Sequence, residues 1–129
     1  MSDDMSKYGT KIKVKEIRLK REEKILEIDF ADGKSFALPA EYLRVESPSA
    51  EVQGHSPSQK TIVAGRQHVG IMALEPVGNY AVRIKFDDLH DTGIFTWELL
   101  YEYGMEYEEK WGAYVKAIED SGLSRDPRK

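Results

Sequence analysis

The chain has 129 residues, 33% of them charged, a formal charge of −4 and no cysteine. That length suits one domain, and 40% hydrophobic residues with two Trp, seven Tyr and four Phe supply enough apolar mass for a core. The missing cysteines exclude disulfides, thiolate catalysis, Cys-ligated zinc and Fe–S clusters held by the chain's own thiolates. No apolar run approaches the ~18 residues of a membrane span, and the polar Met1–Thr10 does not read as a signal peptide, so a cytoplasmic protein is expected.

Residues 1–10 read as a flexible N-terminus, 11–120 as one domain and 121–129 as a frayed tail. Eight Lys/Arg against five Asp/Glu make residues 1–24 basic, and seven against twelve make 75–129 acidic. Lys11, Lys13 and Lys15 alternate with Ile12 and Val14, the pattern of a half-buried strand's outer face. Leu26, Ile28 and Phe30 then share one face of a second strand, with Glu27 and Asp29 opposite those lysines. A solvated sheet face thus accounts for the basic start, and an acidic chain without a stacking-aromatic motif argues against nucleic acid.

Asp32-Gly33 marks a hairpin turn, so residues 11–20, 24–30 and 34–38 are expected to form a three-stranded meander. Residues 39–44 follow as a short helix opened by proline. The segment 44–60, with two Pro, four Ser and one Gly, lacks periodicity and reads as a long loop, the first place to seek a site. Residues 61–63 suggest a short strand, and 69–75 with 80–86 a second hairpin turning at Gly78-Asn79. Residues 86–93 are polar and turn-like. Thr96 is a candidate N-cap for a helix that Gly104 should end, and a last helix over about 105–120 stripes Tyr107, Trp111, Tyr114, Val115 and Ile118 along one side. That stripe reads as core or interface. The fold expected is α+β, a mostly antiparallel sheet of hairpins with helices toward the C-terminus.

No motif names a reaction. His55, His68 and His90 lack the His-x-Asp spacing of iron oxygenases, since Pro57, Gly70 and Thr92 stand where the acid would be. Asp87, Asp88 and Asp91 flank His90, but a Ca²⁺-loop pattern is absent and turn capping explains them. No nucleophile elbow or phosphate loop occurs.

Leu38 to His55, and Glu75 to Trp97 continuing to Gly104, resemble in joint order the gamma-butyrobetaine hydroxylase-like N-terminal domain family, over roughly residues 12–104. The resemblance implies a non-catalytic domain that in the carnitine-biosynthesis oxygenases precedes the Fe(II) and 2-oxoglutarate domain. This chain ends at Lys129 without that half, so no hydroxylase activity and no enzyme are expected. The resemblance also implies a structural zinc held by a Cys-x-Cys-x-x-Cys cluster and a later histidine. Those positions fall here on Ser47, Ser49, Val52 and His90, so no metal or other cofactor is expected. His90 should instead bond across to the Ser47–Ser49 turn. Similar domains fused to P-loop Fe–S carrier ATPases suggest a protein-interaction role beside such a carrier or an oxygenase.

The function expected is an interaction or accessory domain, with Arg44, Ser47, Ser49, His55, His90 and Asp91 as its candidate surface and self-association through the aromatic last helix open to it. The alternative is a small-molecule or divalent-metal binder built on the His55 and His90 loops.

Overall fold

The meander forms as the alternation demands. A computed structural model describes residues 12–54 and 56–127. The expected flexible segment 1–10 lies outside them. Strands β1 (Val14–Lys20), β2 (Ile25–Phe30) and β3 (Ser35–Pro39) pair antiparallel in the order β1-β2-β3. Strand β2 starts at Ile25 because Lys24 takes a left-handed conformation, φ 59°, to close the preceding turn. Leu26, Ile28 and Phe30 point inward and are buried, while Arg18 on the outer face bonds Glu27 and Asp29 at 3.0 Å each. Gly33, at φ 94°, makes the β2–β3 turn, and the Asp32 side chain ties it by accepting from the Lys34 N–H and the Tyr101 hydroxyl.

Helix α1 (Ala40–Val45) follows β3 directly and is buried along its whole length. The segment beyond it is less irregular than its composition suggests. It contains a one-turn helix α2 (Ala50–Gln53) and a 3₁₀ turn at Pro57–Gln59. Residues 61–63, expected as a strand, join no sheet. Their backbone is met by other partners: Thr61 N–H donates to the Val52 carbonyl at 2.7 Å, and the Val63 carbonyl accepts from the Tyr114 hydroxyl at 2.6 Å.

The second sheet holds β4 (Ile71–Val77), β5 (Ala81–Phe86) and β6 (Ile94–Thr96), all antiparallel. Three residues are too short to show alternation, which is why β6 has no signature in the chain. Tyr80, expected within the hairpin's second strand, belongs to the turn and is exposed.

Thr96 caps α3 (Trp97–Met105) as its chemistry requires, the hydroxyl accepting from Leu99 N–H at 3.1 Å. Gly104 does not end this helix. It lies inside it, and a Cβ there would overlap the Phe36 ring, so glycine serves close packing rather than termination. Helix α4 (Tyr107–Asp120) follows after one residue.

One large apolar cluster joins Leu26, Ile28 and Phe30 of the first sheet, Ile71, Ile84, Phe86 and Phe95 of the second, and Leu100 and Tyr103 of α3. Tyr42 of α1 is fully buried there and donates to the Tyr103 carbonyl at 2.8 Å. A smaller cluster of Val45, Val52, Val63, Tyr114 and Ile118 fastens the 46–64 stretch beneath α4. The aromatic stripe of α4 is therefore used within the chain, with Tyr107 edge-on to Tyr42 at 4.8 Å. Residues 121–127, expected to fray, lie along 65–67: Gly65 N–H donates to the Ser124 carbonyl, and Arg125 makes two hydrogen bonds to Glu41. The architecture is α+β, with helices mostly toward the C-terminus.

Candidate functional site

Two segments 40 residues apart in sequence meet at one end of the second sheet. The first leaves α1 through Glu46, Ser47, Pro48 and Ser49 into α2. The second is the β5–β6 connection, 87–93, where Phe86 N–H donates to the His90 carbonyl and Leu89 N–H to the Phe86 carbonyl. Asp88 shapes this turn by accepting from the His90 N–H at 3.1 Å, an Asx-type bond to its own backbone two residues on.

His90 is the rivet between the segments. Its Nε2 lies 3.0 Å from Ser47 Oγ and 3.3 Å from Ser49 Oγ, the cross-bond expected from the sequence. Its Nδ1 lies 3.2 Å from Glu51 Oε1, which also accepts from the Thr92 hydroxyl at 3.0 Å. A carboxylate can only accept, so this placement favours a proton on Nδ1 and leaves Nε2 to accept from serine. Gly93 makes the approach possible, since a Cβ there would overlap Ser47 Oγ. Burial, with the Arg44 charge next, pushes His90 below the ordinary imidazole value against the opposing pull of Glu51, Asp88 and Asp91.

Arg44, buried at the end of α1, donates from Nε to Asp88 Oδ2 at 2.8 Å. Arg66, from the stretch before β4, donates from Nε to the same oxygen at 2.6 Å. Burial works to raise the Asp88 carboxyl, but the His90 N–H and the two guanidiniums outweigh it, and Asp88 sits below the usual carboxylate range. Beside this network opens a cleft of about 530 Å³ between 61–66 and 88–92, with Arg44, Glu51, Arg66 and His90 in its wall. Leu89 stands at its lip, 82% exposed and at φ 75°, a conformation that branched and bulky side chains rarely take.

Of the six residues named from the sequence, the fold brings Arg44, Ser47, Ser49, His90 and Asp91 to this one region, with Asp91 on the cleft's exposed edge. His55 lies outside the described residues. Glu51, Arg66 and Leu89 were missed. Glu51 and Arg66 look like ordinary surface charges until tertiary contacts assign them partners, and an exposed leucine in a polar turn has no motif.

Glu51, His90 and Ser47 follow the order of an acid–base–nucleophile relay. Ser47 is completely buried, however, so no substrate atom can approach its hydroxyl in this arrangement. A zinc ion does not fit either. The residues on which the sequence resemblance places zinc ligands are one imidazole, two neutral hydroxyls and Val52, whose side chain is buried in the smaller apolar cluster. Among the described residues no group of three or more His, Cys, Asp or Glu is placed to hold a metal, and no helix is long and apolar enough to cross a membrane.

A family model described as gamma-butyrobetaine hydroxylase-like, N-terminal, matches residues 17–101. Two proteins with NMR solution structures are 42% and 41% identical, with TM-scores of 0.78 and 0.80; they cover 90% and 95% of this chain and 91% and 92% of their own. A crystal structure of a protein of unknown function from Acidithiobacillus ferrooxidans ATCC 23270, belonging to the DUF971 family, is 43% identical with a TM-score of 0.58, over 68% of this chain and 88% of that one. No curated protein matches at a significant level.

Proposed function

Since the chain belongs to the gamma-butyrobetaine hydroxylase-like N-terminal family, we propose that it is a non-enzymatic interaction domain of the cytoplasm that docks a partner protein at the cleft between residues 61–66 and 88–92. The observation that carries this reading is Leu89. A large apolar side chain that is 82% exposed and held at positive φ gains nothing from the core and costs backbone energy. Such a residue persists where its surroundings impose it, and here the His90–Ser47 and Asp88–Arg44 bonds on either side of the turn do so. The network makes the turn rigid, which lowers the entropy lost on docking. The partner classes suggested by the sequence resemblance are a P-loop Fe–S carrier ATPase and an oxygenase.

Site-specific photo-crosslinking tests the reading. A benzophenone side chain at position 62, in the cleft, should give a discrete adduct with a carrier or oxygenase in cells. The same group at position 109, exposed on α4, should not. No adduct at 62, or equal adducts at both positions, would overturn it.

A further inference from the structure

Asp88 Oδ2 is shared by two guanidiniums, so one carboxylate answers two positive charges. Arg44 has only 9% of its side chain exposed, and its Nη1 is enclosed without a hydrogen-bond partner among the described residues. An enclosed guanidinium donor left open is unfavourable, and the shared oxygen cannot satisfy both arginines fully. Arg66, one third exposed in the cleft wall, is the one of the two that a ligand can reach. Next to it Ile62 and Leu89 present 38% and 82% of their surface to solvent.

We infer that the cleft takes an acidic side chain, Asp or Glu, of the partner protein, with a bulky apolar neighbour of that residue covering Leu89 and Ile62. This inference rests on the docking role proposed above and gives the partner's chemistry. A carboxylate meeting Arg66 forms the paired geometry that guanidinium favours. Asp88 Oδ2 is then no longer divided and answers Arg44 alone, while Oδ1 keeps the His90 N–H. One shared carboxylate becomes two one-to-one pairs. Glu51 and Asp91 on the cleft's other wall repel an acidic residue and so direct it toward Arg66. A small free carboxylate would satisfy the arginine but leave the two apolar side chains uncovered, which favours a peptide segment as its source.

The test pans a random peptide library against the full chain, then measures the affinity of one enriched peptide and of its Asp→Asn or Glu→Gln version. Enriched peptides should carry Asp or Glu beside Leu, Ile, Met or an aromatic residue. Amidation of the peptide and Arg66→Ala in the protein should each weaken binding at least tenfold. Leu89→Gly should weaken it comparably while its urea midpoint stays level or rises, because glycine accepts positive φ; loss of fold is thereby separated from loss of contact. Binding lost with Leu89→Gly but indifferent to Arg66→Ala and to amidation would overturn the acidic assignment and leave the docking face standing. Failure to enrich any peptide, or binding indifferent to both protein variants, would overturn both. Arg66-dependent binding of citrate or acetate without any peptide preference would replace the peptide with a small carboxylate and overturn the inference.

Discussion

His90 is held on both ring nitrogens and buried, and its neutral form is the one the fold selects. Because its folded pKa lies below the ordinary 6.5, the unfolded chain takes up a proton first as pH falls. The stability this histidine contributes is thus full above about 6.5 and declines as pH drops through that value toward the folded pKa. Urea unfolding at pH 7.5 and 5.5 should show a loss in the parent chain that is smaller in His90→Ala. At pH 7.5 the same variant should itself be about 2 kcal/mol less stable, since it opens a cavity and leaves the Ser47 and Ser49 hydroxyls without their partner. An equal pH response in both proteins would contradict the neutral, buried assignment. His90 was legible from the sequence through the family resemblance. Arg66 was not, because its partner Asp88 is 22 residues away and nothing local marks either as paired.

Elements were legible in proportion to their length and periodicity. The 14-residue α4 and the alternating β2 and β5 announce themselves, whereas β6 and the one-turn α2 are too short for a period to appear. Gly104 and Gly112 show why a helix boundary can be misread. Glycine in a helix usually costs stability against alanine, so Gly104 reads as a stop. In the fold, Phe36 occupies the space of its missing side chain, while nothing lies within 4 Å of a Cβ at Gly112. Gly112→Ala should therefore stabilise the chain by about 0.5–1 kcal/mol. Gly104→Ala should destabilise it by about 1–3 kcal/mol through overpacking. Denaturant midpoints of the two variants moving in the same direction would refute the contrast.

At the scale of the molecule, hydrogen bonds and two apolar clusters fasten the segment on which the sequence resemblance places zinc ligands. The 46–54 segment is fastened to the 87–93 turn by His90, to α3 by the Tyr103 hydroxyl on the Glu46 carbonyl at 2.6 Å, and to α4 by Val52 packing. Neutral hydroxyls and an aliphatic side chain offer zinc no thiolate. After dialysis against metal-free buffer the chain should hold no stoichiometric zinc by elemental analysis, and a chelator should leave its melting temperature unchanged. About one zinc per chain would overturn this.

The amino-acid sequence by itself determined the α+β class, the meander, the second hairpin and the Thr96 cap, because each follows from periodicity or turn chemistry within a dozen residues. It also determined that no thiolate could act, a matter of composition alone. Only the tertiary structure decided which charges face one another. The convergence of Arg44, Arg66 and Asp88, the seating of Ser47 against Gly93 and the exposure of Leu89 depend on segments distant in sequence packing at one sheet end. Pairing across such distances is settled by the shape of the shared core, and no local pattern encodes it.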